Sequence, residues 1–192
     1  KLFDFHEAYS HYRLSKEELS ELDLENKLLT LVNLNLLSEA NIASKKILDK
    51  NIHNQEAWFV HLSFSKIYNK TDAFSKFKKE MHNEKLNFIK YIFFDERGKI
   101  KNNKNIAKSI FEIVQLSVPD IADKTRYNYL LFYLSIANSL DPDLDEGYFY
   151  SGQIYQILKK YVIAENFYKK ISIDHPLFVD SQKKRYSILF GP

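Results

Sequence analysis

The chain has 192 residues, 45% apolar and 28% charged, the make-up of one soluble folded unit or a short run of repeats. Lys and Arg number 28 against 25 Asp and Glu, and neither sign gathers into a long block, which excludes a basic nucleic-acid arm and an acidic tail. Cysteine is absent, removing disulfides, thiolate nucleophiles and thiolate metal sites, and four Gly with four Pro are too few for a barrel or sandwich.

Long helices joined by short polar links remain. No apolar run approaches the roughly 20 residues that span a bilayer, so no membrane insertion is expected. The chain opens Lys1-Leu2-Phe3-Asp4 with no charged-then-apolar leader, lacks an initial Met and closes on Phe190-Gly191-Pro192. The expectation is a processed chain or a segment of a longer one.

In chain order, residues 1–20 predict part of a preceding unit, with one helix over 3–13. Leu2, Phe5 and Tyr9 would then mark an open end available for association, since stacked repeats need capped ends. Ser15 and Glu18 have the spacing of a capping box. Residues 21–54 predict a two-helix repeat carried by Leu24, Leu28, Leu31, Ala40, Ser44 and Ile47. A second, over 55–88, is carried by Trp58, Leu62, Phe74 and Met81, with Ala73 and Phe77 as a one-residue slip of the frame.

Residues 89–110 predict a helix end and an exposed loop turning at Gly98, and they break the phase. Residues 111–144 form a degenerate repeat with Val114, Val118, Ile121, Leu130, Leu134, Ala137 and Pro142. Its link is lengthened by Pro119 and the polar stretch 120–124, which moves the first helix back to 105–117. Residues 145–178 give the best repeat, and 179–192 a terminal helix or tail.

The best repeat shows why the spacing matters. Tyr148, Gly152 and Tyr155 fall at i, i+4 and i+7, one face of a helix, where a small residue lets a partner helix approach closely. Ala164, Tyr168 and Ile171 repeat that spacing on a second helix. Lys159 and Lys160 form the turn between them, and Pro176 lies 34 residues after Pro142 as a stop. On Tyr148, Gly152, Tyr155, Ala164, Tyr168 and Pro176 the chain resembles the tetratricopeptide repeat family. It is similar in particular to tetratricopeptide proteins of alphaproteobacteria, over residues 105–187, through Asn128 to Leu134, Leu140-Asp141-Pro142 and Tyr148-Phe149-Tyr150. That resemblance implies an all-α, right-handed α-solenoid of stacked antiparallel helix hairpins, in a bacterial cytoplasm or periplasm. It brings no activity with it.

Catalytic signatures are weak. The six histidines, His6, His11, His53, His61, His82 and His175, form no HExxH pattern and predict surface or helix-end positions rather than metal ligands. Glu17-Glu18, Asp95-Glu96, Asp143, Asp145 and Glu146 fit helix starts, where acids favour the N-terminal dipole, better than acid–base pairs. Neither GxxxxGK nor GxGxxG occurs, and no cofactor is implied. Lys99, Lys101, Lys104 and Lys108 make one basic patch, more consistent with a solvated loop than with phosphate contacts.

The resemblance implies that first helices line a concave groove. By position its lining would be Glu56, Phe59, Ser63 and Lys66 in one repeat, and Glu146, Phe149, Gln153 and Gln156 in another. Phe59 and Phe149 would be apolar anchors, and Gln153 and Gln156 polar readers. The Lys/Asn/Arg clamp of chaperone-binding repeats is not matched, since Glu25, Phe59, Ser63, Phe149 and Gln153 stand at those places. The expected function is a non-enzymatic scaffold binding a protein or peptide in that groove. The alternatives are a helical-repeat RNA-binding module, disfavoured by Glu25, Glu56 and Glu146, and a non-catalytic part of a larger enzyme.

Overall fold

The computed structural model describes residues 5–14, 19–117 and 126–191. The Ser15/Glu18 capping pair, Glu17, Leu2, Phe3, Val118, Pro119, Ile121 and the polar stretch 120–124 lie outside the described residues. Among the described residues eleven α-helices run in order: α1 (Phe5–Leu14), α2 (Glu21–Asn33), α3 (Leu37–Lys50), α4 (Gln55–Ile67), α5 (Asp72–Glu80), α6 (Asn87–Phe93), α7 (Asn103–Ser117), α8 (Arg126–Leu140), α9 (Asp145–Ile157), α10 (Tyr161–Tyr168) and α11 (Phe178–Phe190). A 3-10 turn, Glu84–Leu86, precedes α6. Among the described residues β structure is confined to one isolated bridge, Phe94 to Ile100. Contacts divide the chain into two compact units, residues 1–109 and 110–192.

In the first unit neighbours in sequence pack on one another, and α4 additionally contacts α2 and α6. Side-chain caps fix where helices start. Ser20 Oγ accepts the Asp23 amide at the head of α2, and Asn54 Oδ1 accepts the Ala57 amide at the head of α4. Asn54 Nδ2 also donates to Glu25 Oε1 at 2.6 Å, tying the start of α4 to α2. Apolar side chains occupy nearly the whole circumference of α4, as befits a central helix. Ala57, Trp58, Phe59, Val60, Leu62 and Phe64 are all buried.

Three helix pairs close with the same turn. Asn35, Asn69 and Lys159 adopt positive φ just past α2, α4 and α9. In each turn the following amide reaches back five residues: Leu36 to the Leu31 carbonyl, Lys70 to Ser65 and Lys160 to Tyr155, at 2.7–2.9 Å. This is a Schellman closure, which satisfies carbonyls that the helix end leaves open. Asn35 and Asn69 stand 34 positions apart, the length of the predicted repeat. Asparagine tolerates the left-handed conformation at lower cost than most side chains.

The interval 89–110 is more structured than a helix end and loop. Ile89, Ile92 and Phe93 of α6 and Ile106, Ala107 and Ile110 of α7 are fully buried, while the turn at 95–100 is exposed throughout. There Asp95 Oδ1 accepts the amides of Arg97 and Lys99, while Gly98 supplies the positive φ. Lys101 Nζ donates to the Tyr91 carbonyl and Ser109 Oγ and lies over the Tyr91 ring, so this member of the basic patch is already engaged.

His61, on the rim of α4, is half-buried and hydrogen-bonded. Its Nδ1 lies 2.7 Å from Asn41 Oδ1. Burial, with Lys45 and Lys76 nearby, lowers its pKa from 6.5 to about 4. The unfolded chain therefore takes up a proton near pH 6.5 that the folded chain refuses until about pH 4. Stability falls as pH drops through that window and levels off below it. Allowing for partial solvent access, the expected loss is about 2 kcal/mol. Urea unfolding at pH 7 and pH 4.5 checks this, and His61→Gln should lose less stability across the same interval.

In the second unit α8 has apolar side chains on every side. Tyr127, Leu130, Leu131, Phe132, Leu134, Ile136, Ala137 and Leu140 are all buried. It packs on α9, α9 on α10 and α10 on α11. Gly152 sits beneath Tyr168: a Cβ on it would meet the ring at 2.6 Å. The predicted close approach at Gly152 is therefore present, between α9 and α10. α10 is shorter than its spacing predicts, ending at Tyr168, and Ile171 is buried from the turn beyond. Asp145 is buried at the first turn of α9, where its Oδ2 accepts the Ser172 amide.

Candidate functional site

A depression of about 470 Å³ in the second unit is lined by Tyr127 from α8, by Tyr150, Gln153, Ile154, Gln156 and Ile157 from α9, and by Lys184 from α11. Tyr150, Gln153, Ile154 and Ile157 fall at i, i+3, i+4 and i+7, so one stripe of α9 forms its floor and wall. Ile154 is buried, whereas Ile157 is 54% exposed, a large apolar side chain open to solvent. Phe111 of α7 meets the Tyr150 ring edge-on at 5.2 Å and holds it in place. Tyr168 is fully buried, and its hydroxyl donates to Gln156 Oε1 at 3.0 Å. Burial pushes the Tyr168 hydroxyl well above its ordinary pKa, keeping it a donor.

The cations along α11 differ in their engagement. Arg185 pairs with Glu165 and also donates to Gln182, and Lys183 pairs with Asp180. The Lys169 ammonium and the Arg185 guanidinium hold the Glu165 carboxyl below its ordinary pKa. Lys184 Nζ makes no ion pair or hydrogen bond among the described residues.

Of the eight groove residues predicted from sequence, the depression brings together two, Gln153 and Gln156. Phe59 and Ser63 are fully buried and Phe149 nearly so, which corrects their expected exposure. Phe59 packs against Phe93 of α6 at 6.0 Å, because α6 covers the face of α4 that the repeat frame leaves open. Ser63 Oγ is enclosed without a hydrogen-bond partner among the described residues. Phe149 packs against the Tyr168 ring at 5.7 Å. Glu146 faces His175, 3.5 Å from its Nε2, and Glu56 and Lys66 sit half-buried on α4. Sequence reasoning missed Tyr127, Tyr150, Ile154, Ile157 and Lys184. The α9 stripe was readable beside Tyr148, Gly152 and Tyr155, but the contributions of α8 and α11 depend on packing.

The first unit holds a larger depression, about 630 Å³, lined among others by Tyr12, Leu19, Lys27, Glu39, Ile42 and Asp49. It carries both signs of charge. Tyr9, expected at an open end, donates its hydroxyl to the Glu39 carboxylate at 2.9 Å. No group of three or more potential metal ligands occurs among the described residues. None of the described helices is long and apolar enough to cross a membrane. Comparisons with protein-family models, with curated proteins and with solved structures return no match.

Proposed function

We propose that the chain is a tetratricopeptide-type helical-repeat scaffold, a right-handed solenoid of helix hairpins, that holds a partner polypeptide at the α8–α9–α11 depression. The observation that carries this is the meeting of Gln153 and Gln156 with Tyr127, Tyr150 and the exposed Ile157 in one concavity. Apolar floor, aromatic wall and a few polar groups that fix orientation are what a peptide site needs. Three facts support the repeat: the 34-residue interval between the Asn35 and Asn69 turns, the packing of α2 on α4, and the Gly152–Tyr168 contact. The role is one of holding rather than catalysis.

The test is a pull-down from the native host. Ile157→Glu and Gln153→Ala should each reduce recovery of the same partner, Ile157→Glu by about tenfold or more, since desolvated anchors dominate binding. Lys79→Glu on α5, in the other unit, should leave recovery unchanged. Recovery indifferent to both depression variants would contradict the proposal.

A further inference from the structure

The depression is one-sided in its charge. None of its seven lining residues is Asp or Glu, and Lys184 presents an ammonium that nothing in the described residues neutralises. Gln156 is directional as well. Its Oε1 already accepts the Tyr168 hydroxyl, so the end left for a ligand is the Nε2 amide, which donates. Ammonium and amide therefore both call for an acceptor. Beside them lie Tyr150, Ile154 and Ile157, which call for an apolar group.

We propose that this depression selects a peptide segment carrying a carboxylate side chain next to an apolar side chain. The acid is met by Lys184 and the Gln156 amide, the apolar neighbour by Tyr150, Ile154 and Ile157. This rests on the partner site proposed above and adds the chemistry of its occupant. A volume of about 470 Å³ suits a short side-chain cluster rather than a folded domain. Tyr168 acts as a positioning residue: it touches no ligand but fixes which end of Gln156 faces outward. A carboxylate gains a charge-assisted bond there, whereas a basic side chain would meet Lys184 as a like charge.

The experiment is selection of a displayed random twelve-residue peptide library on the intact chain. Wild type should enrich Asp or Glu adjacent to Leu, Ile or Phe. Affinity should fall about tenfold when the acid in a selected peptide is changed to its amide. Lys184→Gln should abolish that difference while retaining the apolar preference. Tyr168→Phe, with helicity checked by circular dichroism, should weaken it. Peptides enriched without an acid, or an acid preference untouched by Lys184→Gln, would overturn the inference and leave the partner site standing. No enrichment of any peptide, or peptides that bind Ile157→Glu as well as wild type, would overturn both.

Discussion

Gly152→Ala is expected to destabilise the chain by about 2–3 kcal/mol, although alanine favours a helix over glycine by up to about 1 kcal/mol. The added Cβ would lie 2.6, 2.8 and 2.9 Å from Cε1, Cδ1 and Cζ of Tyr168. That ring is fully buried, flanked by Phe149 at 5.7 Å and anchored through its hydroxyl to Gln156, so it has no open space to swing into. Relief must come from α9 and α10 moving apart. Urea unfolding followed by circular dichroism measures the loss, and hydrogen exchange should place it in those two helices. Tyr168→Leu combined with Gly152→Ala should cost less than the two changes summed, because the smaller side chain vacates the space the methyl enters. A neutral or stabilised Gly152→Ala would mean that helix propensity outweighs the contact.

Trp58→Ala is expected to cost more, about 3–5 kcal/mol, the range for removing a fully buried large aromatic. The indole is wholly enclosed, meets Phe77 edge-on at 5.1 Å and donates from Nε1 to the Ile52 carbonyl at 2.6 Å. Truncation leaves a cavity among α4 and α5 and an acceptor without its donor. Trp58→Phe should lose about half as much, keeping most of the packing while losing the hydrogen bond. Because Trp58 is the sole tryptophan, circular dichroism rather than indole fluorescence is the readout. Protection from exchange should fall most in residues 1–109 for this variant and in residues 110–192 for Gly152→Ala.

Those residues also show what sequence alone conveys. Helix spacing is written in side chains that must share a face, so Trp58 and Leu62, or Tyr148, Gly152 and Tyr155, announce helices before any fold is known. A small residue on such a face predicts close approach, and Gly152 meets Tyr168. The turns at Asn35 and Asn69 were equally visible as residues, yet their meaning lies in backbone conformation, which spacing does not express. α6 was hidden because Ile89, Ile92 and Phe93 continue an apolar run that a helix end explains as well. Its placement over Phe59 is a tertiary event, and it turned an expected anchor into core.

The site was legible only along one helix. Gln153 and Gln156 could be found by counting from Gly152, since neighbouring positions on a helix have fixed relative directions. Tyr127 and Lys184 lie 26 and 31 positions from Gln153, and their convergence with it is set by how α8 and α11 pack in the second unit. Charge could not single out Lys184 either. Lys183, Lys184 and Arg185 are consecutive, and only the ion pairs of their neighbours leave Lys184 unmatched.

The scaffold proposal is tested most directly by photo-crosslinking in the native host, with a photoreactive phenylalanine analogue at position 157 and, as comparison, at position 79 on α5. A polypeptide adduct from position 157, absent from position 79 and lost on adding Gln153→Ala with Lys184→Gln, is the predicted result. An unmodified chain from position 157, or the same adducts from both positions, would contradict it.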